Sequence, residues 1–216
     1  MRLVTAYSRI ERAALCRLLT DLGPDAPTLC EGWSTHDLAA HLVARERRPD
    51  SGPGLLVPAL AGYTERVRGQ LRRRPYGTLV ELVASGPPPW SPFAVPGVEA
   101  GANTVEFFVH HEDVRRAQPN GGLAAPRELD PEFEELLWRR LRGSARLLFR
   151  RARVGVTLRS PDGASCRARA GSPGVSLAGP AQELLLYALG RRGAAHVDVV
   201  GEESAVRALA DTPLGI

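Results

Sequence analysis

Apolar positions recur at helical spacing through the first part of the chain. In residues 4–22, Ile10, Ala14 and Leu18 fall on one stripe, with Val4 and Leu19 beside it. Gly23-Pro24 ends that segment. A second helix is expected from Thr35 to about Arg47. Ser34 is its N-cap, Asp37 three residues on completes a capping box, and Trp33 ahead of the cap is placed to staple onto Leu38. Further helices are expected over 57–73, where Pro58 fits only a first turn, and over 78–84. Two more are expected, from about 101 to 117 and from 131 to about 151. Pro119-Asn120-Gly121-Gly122 ends the first, and Asp130-Pro131 reads as N-cap and first helical position of the second. Residues 86–98, with five prolines and Trp90, are too stiff and irregular for a helix.

Beyond residue 152 the period drops to two. Val154, Val156 and Leu158 alternate, Pro161-Asp162-Gly163 makes a turn, and Cys166, Ala168 and Ala170 continue as a second strand. Residues 175–177 form a third strand. A helix then opens at Gly179-Pro180, His196 opens a strand that runs to Val200, and a last helix covers 203–210. The pattern describes an α+β chain: an all-helical domain over 1–152 and a small α+β domain over 153–216.

Composition narrows the function classes. At 44% hydrophobic and 24% charged, the chain builds a real core and is not globally disordered. No apolar run reaches membrane-span length, and the N-terminus mixes charges into its stripe where a signal peptide has a continuous apolar region. A cytoplasmic protein is expected. The net charge is +4, and all 28 basic residues behind it are arginine, because the chain has no lysine. That bias, with abundant Ala, Gly, Pro and Leu, points to high-GC coding and an actinobacterial source. It does not point to nucleic acid, since the arginines are scattered and no aromatic–basic platform exists. Three cysteines, Cys16, Cys30 and Cys166, at unrelated spacings form neither a disulfide framework nor a metal knuckle.

The chemistry concentrates in the histidines. Glu106 and His110 are four residues apart on a predicted helix, so they lie one above the other on one face. His41 shares a face with Leu38, Leu42 and Arg45 and should point inward with the leucines. Side chains from facing helices build metal sites of this kind in bundle cores. Two His and one Glu make an open three-ligand set typical of catalytic zinc, although donor type alone also admits iron, nickel, manganese or cobalt. From spacing alone the pair equally describes an exposed ion pair, and His41 a hydrogen-bonded core histidine. Asp37 and Asp113 stand where either could orient a ligand imidazole, against plainer roles as cap and surface charge. His36 reads as exposed and His196 as structural. Trp90 reads either as a wall of the site or as a plug of the bundle, with the plug favoured.

The stretch from Gly32 to Leu42, GWSTHDLAAHL, resembles the G-W-x-x-x-D-L-x-x-H-L signature of the mycothiol-dependent maleylpyruvate isomerase family within the DinB/YfiT-like superfamily. The stretch from Asn103 to His110 is similar to that family's second metal segment, and residues 179–191 resemble its small C-terminal domain. Leu29-Cys30-Glu31-Gly32-Trp33 and the stretch from Arg45 to Asp50 are nearest to an actinobacterial subgroup described only by metal binding. The resemblance implies an N-terminal DinB/YfiT-like four-helix bundle with a small C-terminal α+β domain. It implies His41, Glu106 and His110 as ligands of a divalent metal, zinc by type, with mycothiol as co-substrate. His111 follows the ligand directly, but only His110 pairs with Glu106 at i+4. The resemblance also implies an arginine from the C-terminal domain for thiol or substrate, with Arg191 and Arg192 the nearest candidates and Trp90 a further binding residue. The expected activity is thiol addition to a small electrophile, giving isomerisation or S-transfer. The alternatives are an enzyme using metal-bound water and a non-enzymatic binder of a small molecule or metal.

Overall fold

The computed structural model describes residues 2–55, 59, 61–95, 97, 103–118 and 124–215, with side chains from residue 7 onward except those of 53–55. The expected helix start near 57, the start near 101–102, the stop at 119–122 and the Val4 side chain lie outside the described residues. The chain forms two compact units, residues 1–122 and 123–216.

The first unit is helical. It contains α1 (Arg2–Leu22), α2 (Thr35–Arg47), α3 (Ala61–Arg72), α4 (Tyr76–Ala84) and α5 (Thr104–Arg116), with 3₁₀ turns at Pro49–Leu55 and Pro92–Ala94. The start of α2 is fixed as its sequence requires. The Asp37 N–H donates to the Ser34 hydroxyl, the Ser34 N–H donates to the Asp37 carboxylate, and both halves of the capping box are present. Four helices share one core: Leu15 and Leu19 of α1, Leu38 and Leu42 of α2, Leu79 and Val83 of α4, and Phe107 and Val114 of α5. These side chains are essentially sealed from water, and truncating such a leucine to alanine costs about 2–5 kcal/mol. Helix α3 packs on α2.

The second unit contains α6 (Pro131–Leu148), β1 (Gly155–Arg159), β2 (Ser165–Arg169), β3 (Gly174–Ala178), α7 (Ala181–Ala188), β4 (Asp198–Gly201) and α8 (Glu203–Ala210). The sheet order is β2-β1-β3-β4, with β1 and β3 parallel and the outer pairs antiparallel. Val156, Leu158, Val175 and Leu177 are buried at alternate positions, the period-two pattern of a half-covered sheet. Gly155 is required where β1 starts: a Cβ there would lie 2.3 Å from the Gly171 carbonyl oxygen.

The division at 122/123 differs from the boundary expected at 152. Helix α6 carries the sheet unit's cover. Its apolar stripe of Phe133, Leu137, Leu141 and Leu148 is buried, and the helix packs on α7 and β2. Helical periodicity gives a buried face but not the element that buries it. His196, expected to open a strand, precedes β4 and donates its backbone N–H to Glu183 Oε2. Among the described residues no helix is long and apolar enough to cross a membrane.

Candidate metal centre

Helices α2 and α5 bring His41, Glu106 and His110 together. His41 Nε2 lies 3.2 Å and His110 Nε2 3.3 Å from the same oxygen, Glu106 Oε1. The two imidazole rings meet edge to face at 5.3 Å. A tetrahedral ion with ligand bonds of about 2.0–2.1 Å needs donor atoms roughly 3.3 Å apart. The two nitrogen–oxygen distances match that spacing and all three atoms lie within 4.8 Å of one another, so the donor set fits a zinc-type ion.

His110 is oriented from behind. Its Nδ1 lies 2.9 Å from Asp113 Oδ2, one turn further along α5. With Nδ1–H donating to Asp113, Nε2 keeps its lone pair for the shared centre. Asp113 is fully buried, so its expected surface role is corrected. The segment before α2 covers it: Leu29 N–H donates to the Asp113 carbonyl, and Cys30 Sγ stands 3.2 Å from Asp113 Oδ2 and 3.9 Å from His110 Nδ1. Cys30, His110 and Asp113 thereby form a second group of close donors around the same ring. Spacing along the chain marks Cys30 only as a plain thiol.

The electrostatics follow from these contacts. Burial pushes the Glu106 carboxyl up, but hydrogen bonds from His110 and His41 and the Arg45 charge outweigh it, holding Glu106 well below the usual carboxylate range. Burial lowers His41 below the ordinary histidine value, with Glu106 opposing it only in part. Burial also acts to lower His110. Asp113, Cys30 and Glu106 together reverse that and raise it well above the ordinary value.

His41 is also held from outside the triad. Trp33 lies 5.1 Å away, ring to ring, and the Arg68 guanidinium lies 4.8 Å over that indole. Arg45, one turn after His41, places Nε 3.4 Å from Glu106 Oε1. Its Nη1 donates to Asn103 Oδ1 at 2.5 Å, and its guanidinium lies 4.0 Å over the Phe93 ring. The proline-rich segment therefore reaches this region through Phe93. Trp90 is 64% exposed, which overturns its expected role as a plug.

The remaining candidates make contacts of their own. His111 is buried with Nδ1 2.9 Å from Glu11 Oε2 of α1, on a different side of α5 from the triad. Asp37 keeps its cap and also takes Arg68 and Arg72. His36 is half-buried, its Nε2 at 3.2 Å from the Arg74 carbonyl oxygen. In the second unit, Arg192 gives Nη1 to the Ala210 carbonyl and Nη2 to the Thr212 carbonyl, and Arg191 gives Nη1 to the Leu189 carbonyl.

Residues 8–49 match the family described as mycothiol maleylpyruvate isomerase N-terminal domain. That span includes His41 and Arg45. No curated protein matches the chain in sequence. Among solved structures, a crystal structure of the mycothiol-dependent maleylpyruvate isomerase superposes with a TM-score of 0.63 at 16% identity, covering 100% of this chain and 95% of that one. A mutant form of that isomerase gives a TM-score of 0.62 at 17% identity with the same coverage. The resemblance read from the sequence finds support there: residues 8–49 are similar to the mycothiol maleylpyruvate isomerase N-terminal domain, and the whole chain has the α+β fold of the matching isomerase structures.

Proposed function

We propose that this protein is a metal-dependent enzyme that uses mycothiol to act on a small electrophile. The thiol sulfur adds to an activated carbon–carbon double bond, the bond rotates, and the thiol leaves, giving isomerisation. Displacement of a leaving group by the same sulfur gives S-transfer. The observation that carries the reading is the convergence of two imidazole Nε2 atoms on one oxygen of Glu106, with Asp113 fixing the His110 tautomer. The family match over residues 8–49 supplies the thiol.

His41, Glu106 and His110 would hold the ion. A divalent ion bound there, zinc by donor type, lowers the pKa of a thiol at its open position so that the sulfur is nucleophilic at neutral pH. Asp113 keeps the His110 proton on Nδ1, and Trp33 packs beside the His41 ring. Arg45 and the two imidazoles keep Glu106 ionised. The thiol- or substrate-binding role implied for Arg191, Arg192 and Trp90 is part of this proposal.

The test has two steps. Protein purified without a histidine tag is analysed for metal, with one divalent ion per chain expected. It is then titrated with mycothiol and assayed with small unsaturated acids with and without mycothiol. Turnover that is unchanged without thiol would replace this reading by metal-activated water. A loaded protein that binds no mycothiol would remove thiol chemistry. Arg191→Ala is expected to weaken the mycothiol titration and leave metal content unchanged.

A further inference from the structure

Cys30 is a nucleophilic side chain that the triad chemistry leaves unused, and its position is built. Its N–H donates to the Thr28 hydroxyl at 3.2 Å, and its carbonyl accepts the Trp33 N–H at 2.9 Å. The neighbouring Leu29 N–H donates to the Asp113 carbonyl at 3.0 Å and ties the segment to α5. Sγ thereby stands behind the His110 ring, 3.2 Å from Asp113 Oδ2 and 3.9 Å from His110 Nδ1. Asp113 is sealed from water, His110 is buried and Cys30 is half-buried.

Thiol, imidazole and carboxylate make a donor set of their own, with all three atoms within 4.8 Å of one another. Around a zinc-sized ion an edge that includes sulfur is about 3.6 Å, and a nitrogen–oxygen edge is about 3.3 Å. The sulfur–nitrogen, sulfur–oxygen and nitrogen–oxygen distances are 3.9, 3.2 and 2.9 Å. Each lies within about half an ångström of the tetrahedral value. Charge balances as well. A divalent ion with one thiolate and one carboxylate is neutral, which suits a site whose carboxylate is fully buried. The triad has one carboxylate and leaves such an ion positive. Sulfur also separates the two sets chemically, because soft ions prefer thiolate to imidazole and carboxylate.

One ring serves both sets, and a neutral imidazole has a single free lone pair. With the proton on Nδ1, donating to Asp113, Nε2 is free for the triad. With an ion on Nδ1, the proton sits on Nε2, where Glu106 Oε1 at 3.3 Å accepts it. Each tautomer finds its acceptor already in place. Serving both ions at once requires stripping the ring of its last proton.

We propose that Cys30, His110 and Asp113 form a second metal site, selective for thiophilic divalent ions such as cadmium, whose filling excludes the ion of the triad. The exclusion rests on the triad reading above; the outer donor set does not. On exchange, zinc and the thiol proton leave, and the ring proton passes from Nδ1 to Nε2. The outer set is therefore an inhibitory site for soft metals.

The test titrates zinc-loaded protein, purified without a histidine tag, with cadmium. Ultraviolet absorption reads thiolate-to-cadmium charge transfer, and elemental analysis after desalting reads zinc and cadmium per chain. In wild type the absorption is expected to appear as zinc leaves, one ion for one. Cys30→Ser should lose the absorption and keep its zinc at the cadmium concentration that empties wild type. Cys166→Ser should behave as wild type, because that thiol lies on β2 of the second unit. His41→Ala should carry no zinc yet keep the cadmium absorption, and His110→Ala should lose both. If Cys30→Ser does not fold, the contrast between the two histidine variants carries the test. Absorption that survives in Cys30→Ser, or that never appears in wild type, would overturn the site. Zinc and cadmium held together, one of each per chain, would overturn the exclusion. Failure of the triad reading is separate: it shows as protein that takes up no zinc, while the cadmium absorption and its loss in Cys30→Ser still decide the outer set.

Discussion

Two polar clusters of the helical unit, both reaching α2 and α5, balance their charges differently. In one, Arg12 of α1 gives Nη1 and Nη2 to the two carboxylate oxygens of Glu46 of α2, gives Nη1 also to the Val83 carbonyl of α4, and lies 4.1 Å over the Phe107 ring of α5. Both side chains are nearly sealed from water. Donors and acceptors match within the protein, and nothing is left for a ligand. In the other, two imidazole nitrogens converge on one carboxylate oxygen, Asp113 occupies the far side of one ring, and Arg45 Nε lies 3.4 Å from the same oxygen. Here three potential ligand atoms from two helices meet at one point. The contrast separates a polar cluster that fastens helices from one whose donors could hold an ion, although both consist of buried charge.

The largest expected effect is at the closed cluster. Glu46→Ala leaves Arg12 buried without its anion and is expected to cost about 3–5 kcal/mol, read by urea unfolding. Metal content per folded chain should stay at wild-type level. Replacing both partners by apolar residues, Arg12→Met with Glu46→Leu, should recover most of that loss. A double variant as unstable as Glu46→Ala would show that the pair does more than hold helices together.

The open cluster responds to metal. At a hundredfold excess of zinc over its dissociation constant, wild type should gain about 2.7 kcal/mol of unfolding free energy. His41→Ala and His110→Ala should gain almost nothing and carry little metal on elemental analysis. His111→Ala should remain loaded, because that ring is spent on Glu11. A loaded His110→Ala beside a metal-free His111→Ala would reverse the assignment.

How much of this was legible in the sequence depends on how far apart the partners lie along the chain. The α2 cap was readable because Ser34 and Asp37 act within one turn. The Glu106–His110 pair was readable for the same reason, and His41 joined it by sharing a face with two leucines. Asp113 was misplaced on the surface because its cover, Leu29 and Cys30, arrives from more than eighty positions away. Arg45 was visible only as a member of a helix face, since Asn103 and Phe93 give it a purpose from distant segments. Trp90 drew attention as the largest side chain of its loop, yet Phe93 makes the contact. The fate of α6 was hidden by the same limit: its stripe shows clearly, its partners α7 and β2 do not.

Asp113 gives a smaller effect that sharpens the contrast. Asp113→Asn keeps the shape but removes the charge that holds the His110 proton on Nδ1. Metal affinity should fall about 10- to 100-fold, as for other partners behind a ligand imidazole. Competition with a chromophoric chelator measures this directly. An unchanged constant would mean that His110 needs no fixing from behind.

The smallest effect lies at Asp37, which belongs to neither cluster but sits one turn before His41. Its carboxylate caps α2 and accepts from Arg68 and Arg72. Burial raises its pKa, but the Ser34 hydrogen bonds and the two arginines outweigh that and hold it below the ordinary 3.8. A carboxyl with a depressed folded pKa contributes stability that is complete above its unfolded pKa and is lost as pH falls through the folded value. Asp37→Asn should therefore cost about 0.5–2 kcal/mol at pH 7, the range for a lost cap. The gap between wild type and variant should begin to close as pH drops below about 4 and vanish at lower pH, where both carry a neutral side chain. Urea unfolding of both proteins across that range measures the gap. A gap that is constant with pH would assign the loss to altered cap geometry and not to the charge. Metal content should not change, because Asp37 bonds to α3 and to its own cap and not to the His41 ring.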